Sequence, residues 1–161
     1  MNRKVRILTT LLVIVVGGIL IWKSTANRLD RLKGSDDSLS VALAERWGSG
    51  LPKGYEKQVA DDLDTCGCLF AKLLYEEPVD DLLENWKPVD ENLTTGFNAI
   101  VETQLAAEIS EENRELVETS RPQPESDWIG YRMTEGEAEL VLLYDPADQI
   151  MFVAEQQPGS K

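Results

Sequence analysis

Cys66-Gly67-Cys68 is the part of the sequence whose residue types and spacing could do chemistry. Two thiols separated by one residue can form a redox-active disulfide or bind a soft metal ion, provided that both point to the same side of the chain. On a helix, residues two apart lie about 200° apart around the axis and point to opposite sides. A thiol redox or soft-metal function therefore requires Gly67 to interrupt any helix here.

The residues around the cysteines predict a helix from about residue 55 to residue 75. In this helix Cys66 lies within the apolar stripe and Cys68 on the polar side, which favours one core thiol and one exposed thiol. In an exported domain an exposed Cys68 would be a candidate for an intermolecular disulfide. The apolar positions recur every three or four residues at Val59, Leu63, Cys66, Phe70, Leu73 and Leu74.

Other catalytic chemistry is largely excluded by composition. The chain has no histidine, so Ser-His-Asp and Cys-His catalysis and histidine-ligated zinc are ruled out. Acidic pairs such as Asp61-Asp62 and Asp80-Asp81 lack the ligand spacing of an EF-hand. Among 29 acidic residues such pairs are expected by chance, so we interpret them as solvated helix faces. The sequence predicts no catalytic residue, no metal ligand and no cofactor.

An uncharged segment near the N-terminus predicts a membrane anchor. Residues 7–22 read ILTTLLVIVVGGILIW and as a helix would span roughly 24 Å, close to a hydrocarbon core of about 30 Å. We therefore predict a basic tail at residues 1–6, a single-pass transmembrane signal-anchor at 7–22 and a basic juxtamembrane stalk at 23–35. The predicted flanks of the span are Arg3, Lys4, Arg6, Trp22 and Lys23.

The alternative interpretation of this segment is a signal peptide. Ser24-Thr25-Ala26 provides small residues for cleavage before Asn27, which would release an exported acidic domain that binds and inhibits a basic partner. If the anchor is retained, transferring the clustered basic N-terminus across the membrane is unfavourable. We therefore expect a bacterial inner-membrane protein with its C-terminal domain on the periplasmic side.

Charge is divided unevenly along the chain. Residues 1–33 carry seven basic and one acidic side chain, and residues 34–161 carry nine basic and 28 acidic ones, so +6 and −19 add to the net −13. A domain at −19 repels phosphate backbones, which excludes nucleic acid as a partner. The expected partners are the lipid bilayer, through residues 7–22, and one or more proteins of a membrane complex.

The remaining patterns predict an α+β domain at residues 36–156 with a disordered tail at 157–161. Helical spacing is seen at 39–47, at 78–86 and from 94 to 116, where Ser110 could begin a separate helix. Short apolar and β-branched runs at 128–133, 138–144 and 150–154 predict a three-stranded antiparallel β-meander. We expect about four helices in a layer on this meander, covering the face formed by Ala138, Leu140, Leu142 and Tyr144.

These observations favour a membrane-anchored, non-enzymatic accessory or scaffolding protein. Its acidic domain would serve protein–protein interaction in a membrane assembly. A thiol redox or soft-metal protein using Cys66 and Cys68 is the alternative from another functional class, and the exported inhibitor is the third.

Overall fold

A computed structural model describes residues 38–48, 50–79 and 85–158 of the chain. The predicted anchor and stalk lie outside these residues, as does most of the helix predicted at 78–86. Within the described ranges, no helix has the length and apolar character needed to cross a membrane.

The described residues form four helices and a single six-stranded antiparallel sheet. The strand order across the sheet is β1-β2-β6-β5-β4-β3. The helices are α1 (Ser38–Trp47), α2 (Leu63–Cys66), α3 (Glu91–Ala106) and α4 (Glu111–Thr119). The strands are β1 (Tyr55–Asp62), β2 (Cys68–Tyr75), β3 (Lys87–Pro88), β4 (Ile129–Glu135), β5 (Ala138–Asp145) and β6 (Ile150–Gln156).

The predicted fold of a helical layer on a three-stranded meander is wrong, because the predicted helix at residues 55–75 is a β-hairpin. Strands β1 and β2 pair from Tyr55 opposite Tyr75 to Asp62 opposite Cys68, and β2 continues the sheet by pairing with β6. Strand β2 is buried on both faces, so apolar residues occupy successive positions. Such a run also contains residues three and four apart, which imitates the periodicity of a helix.

Other elements follow the sequence patterns closely. Helix α1 and strands β4, β5 and β6 occupy the predicted segments. The helical segment after residue 90 divides into two, and the Ser110 side chain accepts a hydrogen bond from the Asn113 amide at 3.1 Å. Asp90 caps α3 in the same manner, accepting from the Leu93 amide at 2.9 Å. Side-chain caps of this kind satisfy amides that have no partner within the helix.

The sheet separates two hydrophobic cores, one on each face. Helix α1 packs on the face that carries Leu140 and Leu142, as expected for the apolar side of β5. Helices α3 and α4 pack on the opposite, mixed face, which the sequence analysis left uncovered. The first core includes Leu39, Leu43, Trp47, Leu69, Leu73, Leu140, Leu142, Met151 and Val153. The second includes Phe70, Leu93, Phe97, Ile100, Val101, Val117, Trp128, Val141, Leu143 and Phe152.

Candidate functional site

The Cys66-Gly67-Cys68 segment forms the tight connection between β1 and β2. Gly67 has φ +71°, in the left-handed region, and its amide donates to the Leu63 carbonyl at 3.0 Å, which ends the single turn of α2. Its carbonyl accepts from the Gln157 amide at 2.6 Å. A Cβ atom at this position would lie 2.4 Å from the Gln157 carbonyl oxygen. Glycine is therefore required both by the backbone angle and by the close approach of the chain after β6.

This turn holds both thiols against backbone carbonyls of one short segment, in contrast to the long helix predicted from the sequence. The Cys66 thiol donates to the Asp62 carbonyl at 3.5 Å, and the Cys68 thiol donates to the Cys66 carbonyl at 3.5 Å. Both cysteines are free, so the described structure is the reduced form of the pair.

The exposure of the two cysteines is the reverse of the prediction. Cys68, expected on a polar surface, has 0% of its surface exposed, whereas Cys66 is half-buried. Cys68 lies on the face of the sheet that α3 and α4 cover, as its neighbour Phe70 does. An intermolecular disulfide through an exposed Cys68 is therefore incompatible with this fold.

The environment of Cys68 keeps its thiol protonated. Burial, followed by the hydrogen bond and charge of Cys66 and by the charge of Asp62, raises the pKa of Cys68 from 9.0 to about 12. The thiolate is the nucleophilic form of cysteine. Cys66 is therefore the member of the pair that solvent and reagents can reach, and Cys68 reacts only after losing a strongly held proton.

A buried carboxylate network lies beside the thiols. Asp62 accepts hydrogen bonds from the side-chain amides of Gln104 at 2.7 Å and Asn113 at 2.8 Å. Gln104 also donates to the Ala60 carbonyl at 3.0 Å. These contacts join β1, α3 and α4 at the edge of the sheet. This network was not predicted, because the sequence pattern placed Asp61 and Asp62 together on a solvated helix face. Strand alternation instead exposes Asp61 and buries Asp62.

A second buried carboxylate, Glu155, lies on the other face of the sheet at the same end. Arg46 binds it through two hydrogen bonds of 2.6 Å each, and the Trp47 indole donates to it at 2.8 Å. The Gln157 side chain donates to it at 2.7 Å. Gln157 also contacts Gly67 through its backbone. The Glu155 network and the Cys66-Gly67-Cys68 turn, which we call the thiol turn, therefore have Gln157 in common.

The thiol turn supplies two sulfur atoms and no complete metal site. Among the described residues, no three cysteine, aspartate, glutamate or histidine side chains are arranged to hold a metal ion. The chemistry that the geometry allows at this turn is thiol–disulfide exchange, in which one sulfur is accessible and the second is adjacent and buried.

The described part of the chain belongs to the α+β class, with a six-stranded antiparallel sheet between helices on both faces and a dithiol turn at one end. The chain matches no protein-family model, no curated protein and no solved structure.

Proposed function

We propose that this protein is a membrane-anchored, non-enzymatic accessory protein whose acidic domain binds a basic surface of a partner within a membrane assembly. The uncharged segment at residues 7–22, with basic residues on both sides, supports the anchor. The domain's surface charge supports the interaction, and it is the observation on which the proposal depends.

The basic side chains of the domain are mostly engaged in internal contacts. Of eight in the described ranges, four form ion pairs with carboxylates, and Arg114 donates to the carbonyls of Leu105 and Ala107. Lys57 donates to Ser38 at 3.1 Å. The eight are Arg46, Lys53, Lys57, Lys72, Lys87, Arg114, Arg121 and Arg132. The excess of carboxylates therefore faces solvent with little compensation from nearby cations.

Helix α4 concentrates this negative charge on one outward surface. Its inward side is held by Val117 in the second core, by the Asn113 contact with Asp62 and by Arg114. Its outward residues are four exposed glutamates, and within the described part of the chain none of them pairs with a cation. We call them the acidic face of α4: Glu111, Glu112, Glu115 and Glu118.

An acidic face on a rigid helix suits electrostatic recognition of a basic protein surface. Complementary charges accelerate encounter and select the partner more than they add affinity. The same charge repels anionic lipid headgroups, so the domain would stand away from the membrane surface while the anchor holds it nearby.

Site-specific photo-cross-linking in native membranes tests the proposal. A photoreactive residue replaces Glu115 in the full-length chain, and the matched control carries it at Val41, which is 55% exposed on α1, across the sheet from α4. We expect a discrete protein adduct from position 115 alone, retained in membranes after carbonate washing. Glu111→Gln, Glu112→Gln and Glu118→Gln together should reduce this adduct roughly fivefold, since they remove the steering charge.

Three results would contradict the proposal. Equal adducts from both positions would mean that α4 is not the contact surface, and an adduct insensitive to the glutamine substitutions would exclude recognition by charge. Release of a chain that still contains residues 1–26 into the carbonate wash would exclude the anchor. A mature chain beginning at Asn27 would support the exported alternative instead.

A further inference from the structure

We propose that Cys66 and Cys68 form a redox-active dithiol that is converted to an intrachain disulfide by thiol–disulfide exchange with a disulfide-bearing partner. Cys66 is the entry thiol and Cys68 the resolving thiol. This inference is independent of the proposed interaction through the acidic face of α4, because it uses none of the four glutamates of that face.

The turn limits how far apart the two cysteines can lie. Two residues apart, the Cα atoms are separated by at most about 7 Å, close to the range of about 4.4–6.8 Å over which disulfides form, and the chain turns at Gly67, which has φ +71°. Each thiol donates to a carbonyl of the same turn, so both sulfurs are held at one short connection between β1 and β2.

The difference in exposure assigns the order of the two steps. First, the Cys66 thiolate attacks one sulfur of the partner disulfide, whose S–S bond breaks and releases one thiolate. Cys68 then gives up its proton and attacks the Cys66 sulfur, which breaks the mixed disulfide and releases the second thiolate. Overall, two protein thiols are oxidised to one disulfide and one partner disulfide is reduced to two thiols.

Burial of Cys68 makes the second step slow and strongly dependent on pH. In the reduced pair the pKa of Cys68 is about 12 instead of 9.0, so its thiolate fraction at neutral pH is about a thousandfold lower than that of an ordinary cysteine. The titratable groups facing it are Asp62 on β1 and Cys66 on α2. Its neighbour on β6, Gln156, is uncharged, as are Gln104 and Asn113, which reach Asp62 from α3 and α4. In the mixed disulfide the contributions of the Cys66 thiol are lost while burial, the largest cause of the raised pKa, remains, so ring closure should accelerate as the pH rises above 7.

The turn also connects the redox state to both buried networks. A Cys66–Cys68 bond would remove the Cys66 donor from the Asp62 carbonyl, and it would constrain Gly67, whose carbonyl holds Gln157 at 2.6 Å. A disulfide between residues so close in sequence is strained, and strained disulfides are the readily reduced ones. The pair therefore suits reversible exchange more than permanent cross-linking.

The test uses the full-length, reduced protein in detergent with oxidised glutathione as the probe, followed by acid quenching and intact mass measurement. We expect the wild-type chain to lose two hydrogens through disulfide formation, with a transient adduct of one glutathione. Cys68→Ala should stop at that adduct, because no resolving thiol remains. Cys66→Ser should react about a hundredfold or more slowly than Cys68→Ala, because its remaining thiol is buried and protonated.

Each alternative outcome overturns the proposal. A stable glutathione adduct on the wild-type chain would show that Cys68 cannot resolve it, and an unreactive wild-type chain would show that Cys66 is not accessible. Similar reaction rates for the two single variants would contradict the assigned order. Circular dichroism of both variants checks that they are folded, and the pH dependence of ring closure in the wild-type chain tests the proposal without any substitution.

Discussion

At the residue scale, Gly67 has the most sharply defined role in the described part of the chain. It ends α2, adopts a left-handed angle and contacts Gln157 so closely that no side chain fits. From the sequence, Gly67 was the residue that must break the helix if Cys66 and Cys68 are to cooperate. The contact with Gln157 was not predictable, because Gln157 is distant in sequence and approaches Gly67 only through the pairing of β2 with β6.

Gly67→Ala is expected to destabilise the domain by about 2–4 kcal/mol, because it combines a left-handed alanine with a backbone clash. Gly136→Ala is the matched control, since Gly136 has φ +61° but no atom within 4 Å of the added Cβ, and it should cost only about 1 kcal/mol. Urea unfolding followed by tryptophan fluorescence measures both. An equal decrease in the free energy of unfolding in the two variants would contradict this prediction, because it would mean that the backbone at Gln157 moves away from the added methyl group at no energetic cost.

At the element scale, α1 is positioned on the sheet by a buried ion pair as well as by apolar packing. Its apolar residues pack in the first core, and Arg46 and Trp47 bind the buried carboxylate of Glu155 on β6. The sequence predicted α1 from its spacing, since a short amphipathic pattern with Gly48 after it is a local signal. It did not predict the Glu155 contact, because residues 46 and 155 are at opposite ends of the described chain.

Arg46→Met is expected to destabilise the domain by about 2–3 kcal/mol, because it leaves the carboxylate of Glu155 buried without its cation. The two side chains are 28% and 0% exposed. Arg121→Met is the control: its pair with Glu102 is 37% and 61% exposed, so the loss should stay below about 1 kcal/mol. Urea unfolding of both variants gives the comparison.

The double variant Arg46→Met with Glu155→Met separates charge from packing. It should recover part of the lost stability, since no unpaired charge remains in the interior. If the double variant is less stable than Arg46→Met alone, the hydrogen bonds of Glu155 to Trp47 and Gln157 matter more than the burial of its charge.

At the scale of the whole molecule, the domain carries a large uncompensated negative charge. Residues 38–158 contain eight basic and 26 acidic side chains, a net charge of −18. Such self-repulsion opposes the compact state and is screened by salt. The acidic face of α4 adds to it, because Glu118 lies in the last turn of the helix, where the helix dipole disfavours negative charge.

Neutral salt is therefore expected to stabilise the domain. Raising sodium chloride from about 0.01 M to about 0.15 M shortens the screening length from about 30 Å to about 8 Å and should raise the thermal unfolding midpoint. The double variant Glu115→Gln and Glu118→Gln should unfold at a higher temperature than wild type in low salt and respond less to added salt. A midpoint that falls with salt would mean that the internal ion pairs outweigh the repulsion.

The sequence alone determined the features that depend on residues close together in the chain. The spacing of residues 39–47, the cap at Ser110 and the alternating C-terminal strands each depend on neighbours within a few positions. Net charge and the missing histidine are properties of composition, and they exclude whole classes of chemistry whatever the fold.

Tertiary structure alone decided what β1 and β2 are and where the cysteines point. A strand buried on both faces, such as β2, lacks the alternation of apolar and polar residues that marks a half-exposed strand, because both of its faces are apolar. Its identification as a strand depends on the strands that pair with it, such as β6. Tertiary packing also buries Cys68, leaves Cys66 accessible and brings Asp62 on β1 together with Gln104 on α3 and Asn113 on α4. These contacts join residues far apart in sequence, so no local pattern could encode them.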